Sequence, residues 1–270
     1  MMKFLSLGSG SSGNCYILQS ENTCLMIDAG VAQKEMLELL DQYGIAVSSI
    51  DAVLVTHDHA DHIKSLGILS TEYERLIYTT VRVHNGMLRN YCMKRAGMKL
   101  NLERRRVVKK GEVTEIGDFR ITPFPVPHDS SDCVGYRIEC GDKVFCIATD
   151  VGEVTPVISQ QISDADYLVI EADYDAHMLE EGPYPEFLKR RIRGAKGHLS
   201  NYACGHALAQ YATPKLKYVW LCHLSDENNH PDLARKTVER ILASAGIVAG
   251  VDFQLEVLKR KYPCGFFELI

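Results

Sequence analysis

Apolar and polar positions alternate in short runs along most of the chain. Near the N-terminus "KFLSL", "CYILQ" and "CLMID" each carry a strand-like pattern bounded by Gly, Ser or Asn. Helical spacing follows over residues 33–43, and a strand returns in "AVLVT". The middle predicts three more strands, "FRITPFPVPH", "GYRIEC" and "KVFCIATD". The later part alternates "DYLVIEAD", a helix after Asn201, "KYVWLCH", and a helix after His230, and closes on "DFQLEVL" and "GFFELI". No long linker, low-complexity segment or repeat of about 20 to 50 residues interrupts this order. The expectation is an α/β chain whose residues 1–270 form a single domain, with helices flanking a pair of sheets.

Composition narrows the class. With 46% hydrophobic and 24% charged residues the chain is ordinary for a globular protein, and no apolar run nears the roughly 20 residues that cross a bilayer. The start, "MMKFLSLGSGSSGNC", is too short in apolar residues for a signal peptide. Nine scattered cysteines without a C-x-x-C pair read as reduced, packed thiols, so the expected location is the cytoplasm, with no membrane partner. The net charge of −5 hides an asymmetry. Residues 75–110 hold eleven Lys or Arg against one acid, Glu103, and "KRRIRGAK" at 189–196 adds five more. These runs are either solvated faces or a surface for a polyanion.

One motif misleads. "GSGSSG" at 8–13 fits G-x-G-x-x-G, with Asp28 near the place of a ribose-binding acid. That fingerprint must open a helix, and here the alternating "NCYILQSENTCLMID" follows, so the segment reads as a flexible turn between strands.

Candidate chemistry concentrates in "VTHDHADH" at 55–62. A strand ending in a loop can aim His57 and His59 at one point and Asp61 and His62 at an adjacent one, while Asp58 faces away. Imidazole and carboxylate without thiolate suit zinc, manganese or iron.

This H-x-H-x-D-H motif resembles the signature of the metallo-β-lactamase superfamily, which implies a four-layer αββα sandwich and two divalent metal ions. Further matches are Asp28 in "MIDAG", an aspartate that steadies a ligand from behind, His128 in "PVPHD", Asp150 in "IATD" and His223 in "WLCHLS". The resemblance implies one ion on His57, His59 and His128, the other on Asp61, His62 and His223, and Asp150 shared. A hydroxide between the ions is the implied nucleophile, which makes Asp61 part of the catalytic set.

"GHLSNYACGHALAQYA" places His198 before a helix capped by Ser200 or Asn201. It resembles the general-acid histidine of ribonuclease Z and related phosphodiesterases, and Glu171 in "LVIEAD" resembles the glutamate that orients it. "SLGSGSSGNCYIL", "THDHADHIKSLG", "GHLSN" and "CHLSDENN" resemble the YycJ/WalJ-like branch. That branch implies a 5'-to-3' exonuclease on double-stranded DNA. Separately, Ser130, Ser225 and Asn228 stand next to the ligand loops and are candidate substrate contacts through phosphate oxygens. His84, His177, His206 and His230 read as structural. Alternative readings are a phosphodiesterase for a small cyclic or dinucleotide phosphate, a di-iron redox protein, and a non-catalytic nucleic-acid-binding module.

Overall fold

The computed structural model describes residues 1–95 and 99–270, without the side chains of Lys94 and Arg95. Those two cations of the first basic run therefore lie outside the described side chains, as do residues 96–98. The strands, in chain order, are β1 Met2–Gly8, β2 Cys15–Gln19, β3 Cys24–Ile27, β4 Ala52–Leu54, β5 Leu76–Thr79, β6 Arg105–Val107 and β7 Thr114–Ile116. They continue with β8 Phe119–Pro125, β9 Val134–Cys140, β10 Lys143–Ala148, β11 Tyr167–Glu171, β12 Tyr218–Cys222, β13 Gln254–Val257 and β14 Cys264–Leu269. Two seven-stranded sheets result, ordered β14-β1-β2-β3-β4-β5-β6 and β13-β12-β11-β10-β9-β8-β7.

The chain groups into two compact units. The first comprises Met1–Pro123, Ser130–Val134 and Lys259–Ile270, and the second Phe124–Asp129 and Gly135–Leu258. Within the first, β1 pairs antiparallel with both β2 and β14, and β3 to β6 run parallel. Leu5, Ile17, Met26 and Val53 form its core with Met36 and Leu40 of the helix Gln33–Gln42. Within the second, β9 and β10 are antiparallel and β10 to β13 parallel. "AVL" of β4 and "YLVIE" of β11 are buried at every residue, as parallel strands require.

Helices of the second unit pack closely. The helix Asn201–Tyr211 lies against Pro231–Ser244, and a Cβ at Gly205 would come 2.8 Å from Ile241 Cδ1, so glycine permits the approach. Ser200 caps Asn201–Tyr211, its Oγ accepting from Ala203 N at 3.0 Å, the first of the two caps the sequence offered. Residues 8–13 join β1 to β2 and open no helix, as the alternation demanded. All nine cysteines are free. Among the described residues no helix is long and apolar enough to cross a membrane.

This topology places chemistry at strand ends. Asp28 follows β3, and residues 55–59 follow its parallel neighbour β4. Asp150, Glu171 and His223 lie at the C-terminal ends of the parallel strands β10, β11 and β12. Parallel strands share a direction, so within each unit these side chains emerge at one edge.

His84, expected to be structural, is fully buried in the helix Val81–Arg89, with Nε2 donating to Arg106 O at 2.9 Å. Burial pushes its pKa down from 6.5 to about 4. The unfolded chain takes up this proton near 6.5 and the folded chain only near 4, so stability present above 6.5 is lost as the pH falls through that window. His84→Gln keeps an N–H for Arg106 O. Its urea midpoint is expected to fall less steeply between these pH values, a difference on the order of 1 to 2 kcal/mol at the acid end; identical slopes would contradict the assignment.

Candidate metal centre

In the first unit the donors are built around one buried carboxylate. Asp28 accepts from Thr56 N and Thr56 Oγ1, both at 2.8 Å, and from His62 Nδ1 at 2.7 Å. Thr56 Oγ1 has given its only hydrogen to Asp28, so at 3.1 Å it accepts from His57 Nδ1. The protons of both imidazoles therefore sit on Nδ1 and leave the lone pairs on Nε2. Burial raises the Asp28 carboxyl's pKa, and the facing His62 opposes this. The His57 ring lies 4.7 Å from that of His59 and 4.0 Å from that of His62, and His62 Nε2 is 3.5 Å from Asp61 Oδ2.

In the second unit Glu171 does the corresponding work. Its Oε1 accepts from His198 Nδ1 at 2.9 Å and His223 Nδ1 at 3.0 Å, while Oε2 accepts from Val151 N and Leu199 N at 2.7 and 2.9 Å. Burial would raise the Glu171 pKa, but the His198 charge and these hydrogen bonds bring it below the ordinary value. Burial likewise works against the His198 charge, yet Glu171, Asp173 and Asp150 lift its pKa to about 9. His128 donates Nδ1–H to Gly197 O at 2.9 Å. The Nε2 atoms of His128 and His223 each stand 3.6 Å from Asp150 Oδ1. One donor atom each from Asp150, Glu171, His198 and His223 lies within 4.8 Å of the others.

This chemistry fits a divalent cation. His57, His62, His128 and His223 each have Nδ1 committed to a protein acceptor, which makes each a neutral Nε2 ligand. Backbone strain accompanies the site: Asp28, Asp150 and His223 have φ of 57°, 54° and 54°, a left-handed conformation uncommon outside glycine.

Within the first unit the structure brings His57, His59, Asp61, His62 and Asp28 together, and within the second His128, Asp150, Glu171, His198 and His223. Asp58 turns to Ser131, accepting from its N and Oγ at 3.0 and 2.7 Å. Ser130 Oγ donates to Asp132 O at 2.8 Å, and Ser225 Oγ accepts from Asn228 N at 3.1 Å, so these serines serve their own loops. Asn228 is fully buried. Exposed His230 caps a helix by accepting from Asp232 N, and His177 and His206 are exposed on helices.

Four further participants escaped the sequence reading. Thr56 sets the His57 tautomer, Gly197 O sets that of His128, and Asn14 touches His62. Buried Asp173 places Oδ2 3.8 Å from His198 Nδ1 and 3.6 Å from His223 Nδ1. Asp173 stands two residues past Glu171 in "LVIEAD", a spacing that returns to the same strand face and was available as a signal.

The strand-end donors on two mixed sheets define a class, and the comparisons agree with it. Residues 23–223 match the family described as "Beta-lactamase superfamily domain", and the chain belongs to this superfamily. It is similar to exodeoxyribonuclease WalJ of Streptococcus pneumoniae serotype 2 (strain D39 / NCTC 7466), 34% identical over 253 residues, covering 94% of this chain and 93% of the relative. It is also similar to exodeoxyribonuclease YycJ of Bacillus anthracis, 30% identical over 262 residues, covering 97% of each. Among solved structures, the metallo-β-lactamase fold protein YhfI of Bacillus subtilis superposes with a TM-score of 0.72, covering 98% of this chain and all of that one (100%) at 18% identity. The fold is that of the metallo-β-lactamases.

Asp28→Asn tests the tautomer argument. Asparagine tolerates the left-handed backbone at this position but can present an amide N–H to His62 Nδ1, favouring the tautomer that protonates Nε2. Competition with a chromophoric chelator is expected to show zinc affinity lower by about 10- to 100-fold in a folded protein. Unchanged affinity would remove Asp28 from the site.

Proposed function

We propose that the protein is a metal-dependent phosphodiesterase, and specifically a 5'-to-3' exonuclease acting on double-stranded DNA in the cytoplasm. The observation that carries the metal reading is the shared Nδ1 commitment of His57, His62, His128 and His223. The substrate reading rests on the likeness to relatives named exodeoxyribonucleases.

In this reading two divalent ions are held, one by His57, His59 and His128, the other by Asp61, His62 and His223, with Asp150 shared. When bound, such ions supply Lewis acidity to a phosphoryl oxygen and make a water acidic enough to attack near neutral pH. Zinc, manganese and iron all suit the donor set. Residues 1–270 act as one domain, because the chain leaves the first unit, passes through the second and returns to add β14 beside β1.

His198 is the general acid. It keeps Nδ1–H on Glu171, and the negative charge of Glu171 and Asp173 favours a second proton on Nε2. An alkoxide leaving phosphorus needs that proton. Glu171 fixes the ring, with Asp173 adding negative charge beside it.

A basic groove supports a nucleic-acid substrate. Thr80, Val81, Arg82, Val107, Val108, Lys109, Lys110 and Asp132 line about 440 Å³ in the first unit, with Arg82 and Lys109 exposed. Such a surface attracts a phosphate chain without choosing sequence. The groove's lysines are partly compensated, Lys109 by Glu112 at 3.3 Å and Lys110 by Asp132 at 2.5 Å, and the second basic run behaves alike. Arg191 pairs with Asp129 at 2.5 Å and Arg193 with Glu180 and Glu186 at 2.5 and 3.0 Å, so much of its charge is compensated locally. Ser130, Ser225 and Asn228 stay in the proposal only as phosphate contacts that form when their loop hydrogen bonds open.

A panel of duplex DNA, single-stranded DNA and bis(p-nitrophenyl) phosphate tests the reading with His198→Ala. The variant is expected to keep its metal but lose about 10²-fold or more on DNA, and much less on the activated ester, whose leaving group needs no proton. Equal losses on both would remove the acid role. Activity of the wild type confined to small diesters would replace DNA by a small cyclic or dinucleotide substrate.

A further inference from the structure

The glycine-rich turn at 8–13 is built around one side chain. Asn14 is fully buried, and its Oδ1 accepts from Gly10 N at 2.9 Å and Tyr16 OH at 3.2 Å. Both of these groups donate there, which fixes the orientation of the carboxamide and turns Nδ2 the other way. Nδ2 has two hydrogens, and its shortest contacts are His62 Nε2 at 3.0 Å and Gly10 O at 3.1 Å. The next are Asp61 O and Asp61 Oδ2, both at 3.4 Å.

The surrounding backbone leaves this amide little freedom. Asn14 N donates to Asp61 O and Gly30 N to Asn14 O, each at 2.8 Å, and Ala29 N donates to His62 O at 2.8 Å. A Cβ at Gly30 would sit 1.6 Å from Asp61 O, and one at Gly13 2.5 Å from Gly30 O. The two glycines thus allow three segments of chain to meet backbone to backbone, with Asn14 between them. A dinucleotide fingerprint has no use for such a contact; a site that must hold Asp61 and His62 in fixed relation does.

His62 Nδ1 gives its hydrogen to Asp28, so Nε2 carries the lone pair that Asn14 now caps. A cation on that lone pair releases the Asn14 N–H, and the acceptors in reach are on Asp61. We propose that Asn14 is a positioning residue: it holds His62 Nε2 in the metal-free protein and passes the same N–H to Asp61 Oδ2 when a divalent ion binds. The transfer determines which carboxylate oxygen is left for the ion and removes the strain of an unpaired buried donor. This inference rests on the metal reading above.

The test is a zinc titration of the isotope-labelled, full-length wild-type protein followed by NMR. The Asn14 carboxamide and His62 Nε2 resonances are expected to move in the same binding step. In parallel, Asn14→Ala and Asn14→Ser are expected to lower zinc affinity in that step by about 10- to 100-fold and to leave any other step unchanged. If zinc shifts His62 Nε2 while the Asn14 carboxamide stays still, or if folded variants bind zinc as tightly as wild type, the proposal is overturned and the metal reading stands. A wild type that takes up no zinc overturns both. Should both variants fail to fold, the wild-type titration decides by itself.

Discussion

An imidazole can give a lone pair to a cation only if its proton is kept on the other nitrogen, and that single requirement organises the site. Thr56 Oγ1, Asp28, Gly197 O and Glu171 hold the Nδ1 atoms of His57, His62, His128 and His223. Each acceptor needs its own support. Asp28 is fully buried, which is tolerable only with the three hydrogen bonds it accepts. Glu171 is equally buried and accepts four.

The fold supplies what these carboxylates need. Parallel strands buried along their length cannot slip by one residue without turning their apolar side chains outward, so their C-terminal ends are fixed points. Asp28, Asp150 and His223 leave those ends in a left-handed conformation that costs on the order of 1 to 3 kcal/mol each. Hydrogen bonds and core packing on both sides hold them there. Among the described residues the other non-glycine residue with such a φ is Glu74, so three of the four stand at the site, which fits a backbone shaped there to aim side chains.

Much of this was legible in the sequence. Each predicted strand is present, because short alternating runs bounded by glycine leave few other structures, and "THDHADH" announced its chemistry by density alone. What stayed hidden depends on partners distant in the chain. Asn14 directly follows the stretch read as a flexible turn, and its contact with His62 spans 48 residues. Nothing in the composition of that stretch signals a clasp. The basic run at 189–196 read as either a solvated face or a surface for a polyanion, and Glu180, Glu186 and Asp129 meet Arg193 and Arg191 once helix and loop are folded. The Nδ1 contact of His128 goes to a backbone carbonyl, a partner that no residue type encodes.

The central claim is that the imidazoles whose Nδ1 atoms are committed to protein acceptors hold divalent ions through Nε2. Crystals of the protein loaded with zinc or manganese, measured at the metal absorption edge, test it directly through the anomalous difference density. The account predicts metal peaks about 2.0 to 2.1 Å from the Nε2 atoms of His57, His62, His128 and His223. Peaks found only on surface carboxylates, away from these Nε2 atoms, would contradict it.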